Sequence, residues 1–227
     1  MMMPMNTLTE YEATIQSAER RVFHLLHSIE WQMHTERKNS CLWKMKCNIT
    51  EDTIFRYEGY IPGKNPAEIA AFIHPEGLYR GKWDSQSAGT SVVARVGEKT
   101  TIIRHDVKAR LMGLVSARDT IDLCRFDTDE HTGTRHVVLV SVAHPSAPVR
   151  NGVVRAHTHP TLVMIEPSGD GSKVTGILHG EMHLMGVPAS IKDTFLPKGI
   201  LNFFDDLSSF ATKDVKVNLN LKLTGWL

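Results

Sequence analysis

The sequence predicts an α+β fold in which a curved antiparallel sheet lies between an N-terminal and a C-terminal helix. This prediction rests on changes in the spacing of apolar residues along the chain. Residues 8–34 place apolar side chains at helical spacing, residues 42–142 alternate with a period of two, and a helical stripe returns near the C-terminus. Strands at this spacing between helices indicate the α+β class. No linker rich in Pro, Gly and Ser divides the chain, so we expect one domain over residues 1–212 and a tail over 213–227.

The N-terminal helix has an apolar face and a capping signal. Glu10 follows Thr7 by three residues, the spacing of a capping box that satisfies free amides of the first turn. The apolar residues that share one face are Tyr11, Ile15, Ala18, Val22, Leu25, Ile29 and Met33. Because such a face must be covered, we expect this helix to pack on the sheet.

Alternation with a period of two predicts a series of strands in the middle of the chain. The predicted strands are 42–49, 53–61, 89–96, 99–107, 120–127 and 135–141. Pro66–Phe72 predicts a short helix with Pro at its first position and Asn65 as its cap. Turn signals at 96–98 and 131–133, both of which contain a glycine, separate the later strands.

The C-terminal third predicts two strands, Gly152–Glu166 and Lys173–His183, and then a long helix that Pro188 opens. One face of this helix carries apolar residues at spacings of four and three: Leu196, Ile200, Phe203, Leu207 and Phe210. This stripe must cover apolar surface, either an ordinary core or the mouth of a ligand cavity. In the tail, apolar and polar residues alternate from Val215 to Leu223, which fits an additional strand or a frayed terminus.

Composition and charge argue against several classes of protein. Lys plus Arg number 26 and Asp plus Glu number 25, so no strong field attracts nucleic acid. The three cysteines, Cys41, Cys47 and Cys124, form no CxxC pair, which favours a reducing compartment. No run approaches the roughly 18 apolar residues of a membrane span, and the N-terminus has no secretory signal pattern. We expect a soluble, cytoplasmic protein without a nucleic-acid partner.

No motif for catalysis, metal or cofactor stands out. His157 and His159 would share one side of a strand, but no third ligand is indicated. His179–His183 has the wrong order for an HExxH zinc motif, because Gly follows the first His. Cys124 has no indicated base, and Gly169–Lys173 lacks the spacing of a phosphate-binding loop. We expect no catalytic residue, no metal and no cofactor.

Five short motifs occur in one order along residues 8–210. They are Lys82-Trp83-Asp84, Ser116-Ala117-Arg118-Asp119, His144-Pro145 with Pro148, Val153-Val154-Arg155-Ala156 with His159-Pro160, and Pro188 ahead of Phe203-Phe204. Together they resemble the START domain, the StAR-related lipid-transfer module, and are similar to its small stand-alone members that bind sterols or bile acids. The resemblance implies a helix-grip fold, in which the curved sheet wraps the C-terminal helix and encloses an apolar tunnel.

The resemblance also implies a function. The chain would hold one apolar ligand (a sterol, bile acid, carotenoid or related lipid) and carry it between membranes or store it, as a monomer in transient contact with membranes. It would not be an enzyme. Two alternatives stay open: an enzyme of the wider helix-grip superfamily, cyclase- or hydrolase-like, with a polar pair such as His105 and Asp106 in the tunnel, and a sensor module that responds to its ligand.

Sterol-binding relatives pair an acid with an Arg deep in the tunnel. The resemblance places the acid at Asp106, although a shift of one residue brings His105 inward instead. The Arg position matches Cys124, a departure that leaves the identity of the ligand open. Asp122 shares the strand face of Cys124, and Asp127–Arg135 matches a gating loop, here acidic and wholly polar. The proposed ligand-binding residues are Trp83, Asp106, Asp122, Cys124, Phe195, Leu196, Ile200, Phe203 and Phe204.

Overall fold

A sheet of ten strands, with helices on both faces, forms the computed structural model, which describes residues 8–50, 52–110, 113–184, 189–213, 215 and 217. The helices are α1 (Leu8–Leu26), α2 (Pro66–Ile73), α3 (Arg80–Trp83) and α4 (Ala189–Ala211). The strands are β1 (Gln32–Arg37), β2 (Ser40–Lys46), β3 (Thr53–Ile61), β4 (Ser87–Arg95), β5 (Thr100–Val107), β6 (Arg118–Asp129), β7 (Thr134–Ser141), β8 (Val154–Arg155), β9 (His157–Thr158), β10 (Thr161–Ser168), β11 (Gly171–Leu178) and β12 (Gly180–Glu181).

The long strands run antiparallel in the order β1-β2-β3-β11-β10-β7-β6-β5-β4. The short strand β8 lies parallel to β6, while β9 and β12 form a separate pair. The curved sheet is not closed, so β1 and β4 are its edges. The predicted α+β class and curved antiparallel sheet are confirmed.

The two faces of the sheet carry two separate apolar cores. On the outer face, α1 packs its buried residues, among them Ile15 and Val22, against strand residues such as Ile121 and Leu123. On the inner face, α2 and α4 cover the alternate residues of the same strands, such as Phe126. Because neighbouring residues of a strand point to opposite faces, the register of each strand decides which side chains reach the inner face.

The N-terminal helix ends earlier than its apolar stripe predicts. The Leu25 carbonyl, in the last helical turn, accepts hydrogen bonds from the Ser28 amide at 3.1 Å and from the indole N–H of Trp31 at 3.0 Å, both outside the helix. The chain then enters β1, whose pairing with β2 replaces the helical bonds. Consequently Ile29, predicted on the buried face, is 97% exposed, and Met33 lies on the edge strand β1. Thr7 of the predicted capping box lies outside the described residues.

The predicted strand Gly152–Glu166 is divided into β8, β9 and β10. Pro160 lies between β9 and β10, where its missing N–H cannot contribute to a ladder. Each piece has its own neighbour, because β8 pairs with β6, β9 with β12, and β10 with β7 and β11. Lys173–His183 is divided in the same way, into β11 and β12.

The predicted short helix after the second strand is confirmed as α2. The Asn65 side chain accepts a hydrogen bond from the Glu68 amide at 3.0 Å, and the Glu68 carboxylate accepts one from the Asn65 amide at 3.0 Å. Pro66 occupies the first turn. This reciprocal capping box explains why so short a segment is helical.

The long C-terminal helix is present as α4, and its predicted first residue, Pro188, lies outside the described residues. Leu207 is fully buried, and the other stripe residues pack at the edge of the inner core. Beyond the helix, Val215 and Val217 also pack on that core. The rest of the predicted tail strand lies outside the described residues. Among the described helices, none combines the length and apolar character required to cross a bilayer.

Candidate functional site

A cavity of about 340 Å³ lies between the inner face of the sheet and α4. Polar or charged residues, among them Arg80, Asp84 and Thr120, form nearly half of its border, and apolar side chains form about the other half. The apolar side chains include Phe55, Ile73, Phe126, Val137, Leu139, Val163, Leu178, Phe195, Leu196, Ile200, Phe203 and Phe204. Its volume lies at the lower end of the range for small-molecule sites, which combine apolar walls with polar groups that orient the ligand.

Aromatic contacts hold α4 over the cavity. Phe204 stacks on Tyr57 of β3 with ring centroids 3.4 Å apart and planes inclined by 3°. Phe203 lies 5.1 Å from the ring of Trp83, and the Arg80 guanidinium lies 4.8 Å from the Phe203 centroid. Burial raises the pKa of Tyr57 to about 12, so the ring stays neutral at physiological pH. These contacts make Phe203 and Phe204 both cavity wall and attachment points of the helix.

Polar contacts attach α4 to two distant parts of the sheet. The Gln86 side-chain amide, just before β4, donates to the Gly199 carbonyl at 2.8 Å. From the opposite edge, Arg37 of β1 forms an ion pair with Asp205 at 2.7 Å. The Ser85 amide also donates to the Asp206 carboxylate at 3.1 Å. The helix is therefore linked to both edges of the open sheet.

His105 provides the unsatisfied polar atom in the cavity wall. It lies opposite Thr120 in the pairing of β5 with β6, and both residues border the cavity. The His105 Nε2 atom is buried and has no hydrogen-bond partner among the described residues. Burial lowers the pKa of His105, while the charge of Asp122 acts in the opposite direction. The imidazole is therefore neutral at pH 7, and its Nε2 can donate a hydrogen bond to a ligand or accept one from it.

Asp122 and Cys124 lie on the inner face but do not border the cavity. The Asp122 carboxylate accepts hydrogen bonds from Thr120 Oγ1 at 2.5 Å and from Ser141 Oγ at 2.7 Å. Cys124 is fully buried, and burial, with the Asp122 charge adding to it, raises the pKa of its thiol well above the usual value. Two hydroxyls, rather than an arginine, thus satisfy the buried acid.

The carboxylate of Asp106 belongs to an ion-pair network on the other face. It accepts a hydrogen bond from Arg150, which also lies 3.3 Å from Asp119. Asp119 is fully buried, pairs with Arg155 at 2.7 Å, and precedes strand residues that pack against α1. Of the two sequence-based alternatives, His105 is therefore the side chain that faces inward. The predicted pair of His105 and Asp106 is not formed, because alternation directs the two side chains to opposite faces.

The nine predicted ligand-binding residues divide into two groups. Six border the cavity: Asp106, Phe195, Leu196, Ile200, Phe203 and Phe204. The other three, Trp83, Asp122 and Cys124, are buried outside its border. Trp83 lies behind Phe203, with its indole N–H bonded to the Phe72 carbonyl at 2.9 Å. Their roles in binding stay predictions.

Sequence reasoning missed the ion pair of Arg80 and Asp84, 2.7 Å apart, whose residues both border the cavity. Their spacing of four residues and the Lys82-Trp83-Asp84 motif were the available signals. The predicted gating segment Asp127–Arg135 contributes no residue to the cavity border. It is instead a paired hairpin, in which the Asp129 carboxylate accepts a hydrogen bond from the His131 amide at 2.9 Å.

A second cluster of polar side chains includes His179, which borders the cavity. Donor atoms of Asp52, His159 and His179 all lie within 4.8 Å of one another, which is close enough for a metal ion to bind to all three. The ring of His157 lies 4.7 Å from that of His159. The sequence indicated the two neighbouring histidines on one strand, but not that the fold adds a third histidine and an acid.

Comparison with known proteins identifies relatives of this chain. The family model described as the START domain matches residues 51–211. The StAR-related lipid transfer protein 5 of Mus musculus is 30% identical over 164 residues, covering 70% of this chain and 76% of that protein. The StAR-related lipid transfer protein 6 of Homo sapiens is 28% identical, covering 66% and 68%. The solved structure of human StAR-related lipid transfer protein 5 has a TM-score of 0.82 at 21% identity, covering 89% of this chain and 97% of that one.

Proposed function

The chain belongs to the START domain family, and on that basis we propose that it holds one apolar lipid in the cavity under α4 and carries it between membranes or stores it. Family membership supports lipid binding and transfer in general. The proposal adds the ligand class, a sterol, bile acid, carotenoid or related lipid with a single polar end. It also adds a cytoplasmic, monomeric carrier that touches membranes transiently, with residues 1–212 as the lipid-binding domain.

The buried, unpaired Nε2 of His105, a residue that borders the cavity, is the observation that carries the ligand class. A buried polar atom without a partner is unfavourable, and a ligand hydroxyl or carbonyl at this place would satisfy it. Thr120, across the strand pair, offers a second polar group, and Phe195, Leu196 and Ile200 would contact the apolar body of the ligand. The arrangement suits a rigid apolar molecule with one hydrogen-bonding end.

Energetics favour reversible binding. Burial of several hundred Å² of apolar ligand surface at about 25 cal/mol per Å² gives a gross driving force near ~10 kcal/mol. Lost translational freedom and incomplete polar pairing reduce this value. The remaining affinity is suitable for a carrier, which has to release its ligand as well as bind it.

We place exit and entry at α4 rather than at the Asp127–Arg135 hairpin. The contacts of Gln86 and Arg37 with α4 are polar and partly exposed, so they can break without loss of the inner core. By contrast, the two strands of the hairpin are paired with each other residue by residue, and its residues do not border the cavity. Tilting of α4 about its Phe204 contact would open the cavity.

Native mass spectrometry of protein purified from its own source is the direct test. We expect one apolar small molecule per chain, released on denaturation, and transfer of that molecule between donor and acceptor vesicles at a rate that rises with protein concentration. Protein that is recovered empty, and that moves no sterol, bile acid or carotenoid between vesicles, would contradict the proposal. If a protein partner is retained only when the ligand is bound, without vesicle transfer, the sensor alternative is favoured instead.

A further inference from the structure

We propose that Asp52, His159 and His179 form a binding site for one divalent transition-metal ion of the zinc type. Their donor atoms lie within 4.8 Å of one another. The three residues come from distant parts of the chain, before β3, between β9 and β10, and between β11 and β12. This inference does not depend on lipid binding, because the site uses donors that the lipid proposal leaves unassigned.

The backbone fixes the positions of the three ligands. The His159 amide donates to the His179 carbonyl at 3.0 Å. Thr161 Oγ1 makes two contacts of 3.3 Å with His179, one to its carbonyl and one to its amide. The Asp52 carbonyl accepts a hydrogen bond from the Cys47 amide at 2.8 Å. The rings of His159 and His179 stack with centroids 4.1 Å apart and planes inclined by 25°, so one imidazole has to rotate for both rings to bind one ion.

Neighbouring groups supply the outer contacts that metal-binding histidines commonly have. A Glu181 carboxylate oxygen lies 2.7 Å from Nε2 of His159, and Thr50 Oγ1 lies 3.2 Å from Nε2 of His179. A partner on one ring nitrogen orients the imidazole and leaves the other nitrogen for a metal. The ring of His157, 4.7 Å from that of His159, places a further imidazole beside the site.

The donor set selects the class of ion. Two imidazoles and one carboxylate match catalytic and regulatory zinc sites with three protein ligands and an open position, whereas Mg²⁺ and Ca²⁺ prefer oxygen donors alone. Zn²⁺ is therefore the ion that we propose.

An ion at this place would join three chain segments beside the cavity. His179, Gly180 and Met182 border the cavity, and β12 is the last strand before α4. Binding would stabilise the pairing of β9 with β12 and so the end of the sheet that leads into the helix. We expect the ion to stabilise only this part of the structure. The quantity that tests the site directly is therefore the number of metal ions bound per chain.

Equilibrium dialysis of the untagged full-length chain, stripped with a chelator and then titrated with zinc chloride, tests the proposal. We expect saturation at one Zn²⁺ per chain by elemental analysis and none with magnesium chloride. Asp52→Asn and His159→Gln should each weaken Zn²⁺ binding at least ~10-fold. His131→Ala, which removes an exposed imidazole from the hairpin between β6 and β7, should leave it unchanged.

The variants also guard against a failure to fold. His179 is buried, so His179→Ala is informative only when its circular dichroism matches that of the unaltered chain, whereas Asp52→Asn changes one partly exposed, near-isosteric group. Four-coordinate Co²⁺ absorption, lost in Asp52→Asn, would support the site independently. Failure to bind Zn²⁺ at micromolar concentrations, or equal loss of binding in His131→Ala and Asp52→Asn, would overturn the proposal. Lipid binding is measured separately, so neither result decides the proposed function.

Discussion

Replacement of His105 by leucine should stabilise the lipid-free protein while it weakens binding of a hydroxyl-bearing ligand. The Nε2 atom is buried without a partner, and such an atom costs about 1–3 kcal/mol. Leucine has similar size and no polar atom, so we expect the free energy of unfolding to rise by about 1–3 kcal/mol. For a chain of this length, each kcal/mol corresponds to a rise in melting temperature of about 2–4 °C.

In the same variant, affinity for a hydroxyl-bearing ligand should fall while the stability of the lipid-free protein rises. A neutral hydrogen bond contributes about 0.5–1.5 kcal/mol net, so its loss should weaken affinity about 2- to 13-fold. Cholesterol, with one hydroxyl, and cholestane, with none, are suitable probes in a vesicle-based competition assay. His105→Leu should weaken the binding of cholesterol and leave that of cholestane unchanged, because only cholesterol has a group to pair with Nε2.

Asp106→Asn is the matched control for this variant. The residue is adjacent in sequence and also borders the cavity, but its carboxylate pairs with the partly exposed Arg150 on the other face of the sheet. We expect a change in stability within about 1 kcal/mol and no change in cholesterol affinity. Urea unfolding of the delipidated variants measures the first quantity, and competition measures the second. Two results would refute the assignment of His105 to the inner face of β5 and Asp106 to the outer face. One is a loss of stability in His105→Leu, and the other is weaker cholesterol binding in Asp106→Asn than in His105→Leu.

Three further predictions follow from the packing of the inner core and from buried histidines. Phe203→Asp should abolish lipid binding with the fold retained, since it places a carboxylate in the apolar wall; binding that persists, or equal loss in the exposed control Ser209→Asp, contradicts this. The free energy of unfolding, from urea titrations, should fall as the pH drops from 7 to 5. Burial lowers the pKa of His105 and of His136 below the unfolded value of about 6.5, so the unfolded chain binds more protons in this range; a flat profile contradicts it. Deletion of the chain beyond Lys213 should lower stability by about 1–3 kcal/mol, because two tail valines pack on the inner core; an unchanged melting temperature would exclude a role for the tail.

Local patterns predicted those elements whose signals are local. Pro66 and Asn65 together specify α2, because a capping box and a proline in the first turn act within four residues. The period of two in Thr53–Ile61 coincides with β3. In contrast, the apolar stripe through Ile29 predicted a longer α1. That stripe could not reveal the hydrogen bond from Trp31 to Leu25 or the β1–β2 pairing that end the helix.

The cavity could be predicted in part, because one helix face supplies much of its wall. Leu196, Ile200 and Phe203 of the stripe border it together with Phe195 and Phe204, whereas Leu207 and Phe210 do not; their roles in ligand binding stay predictions. The polar groups were harder to place, since their facing depends on a register that a single sequence fixes only to within one residue. A shift of one residue exchanges His105 for Asp106, and with it a neutral hydrogen-bonding ring for an ion-paired carboxylate on the opposite face.

The departure at Cys124 gains a physical explanation from its neighbours. An arginine there would pair with a buried acid, but the thiol cannot, and Asp122 on the same face instead accepts hydrogen bonds from Thr120 and Ser141. Asp122 therefore has hydrogen-bond partners inside the sheet and does not border the cavity, and its role in binding stays a prediction. Among the described residues, His105, one strand away, borders the cavity and has a ring nitrogen that still lacks a partner. Because the proposed polar contact is a neutral imidazole, selectivity should depend on one directional hydrogen bond and on the shape of the cavity wall.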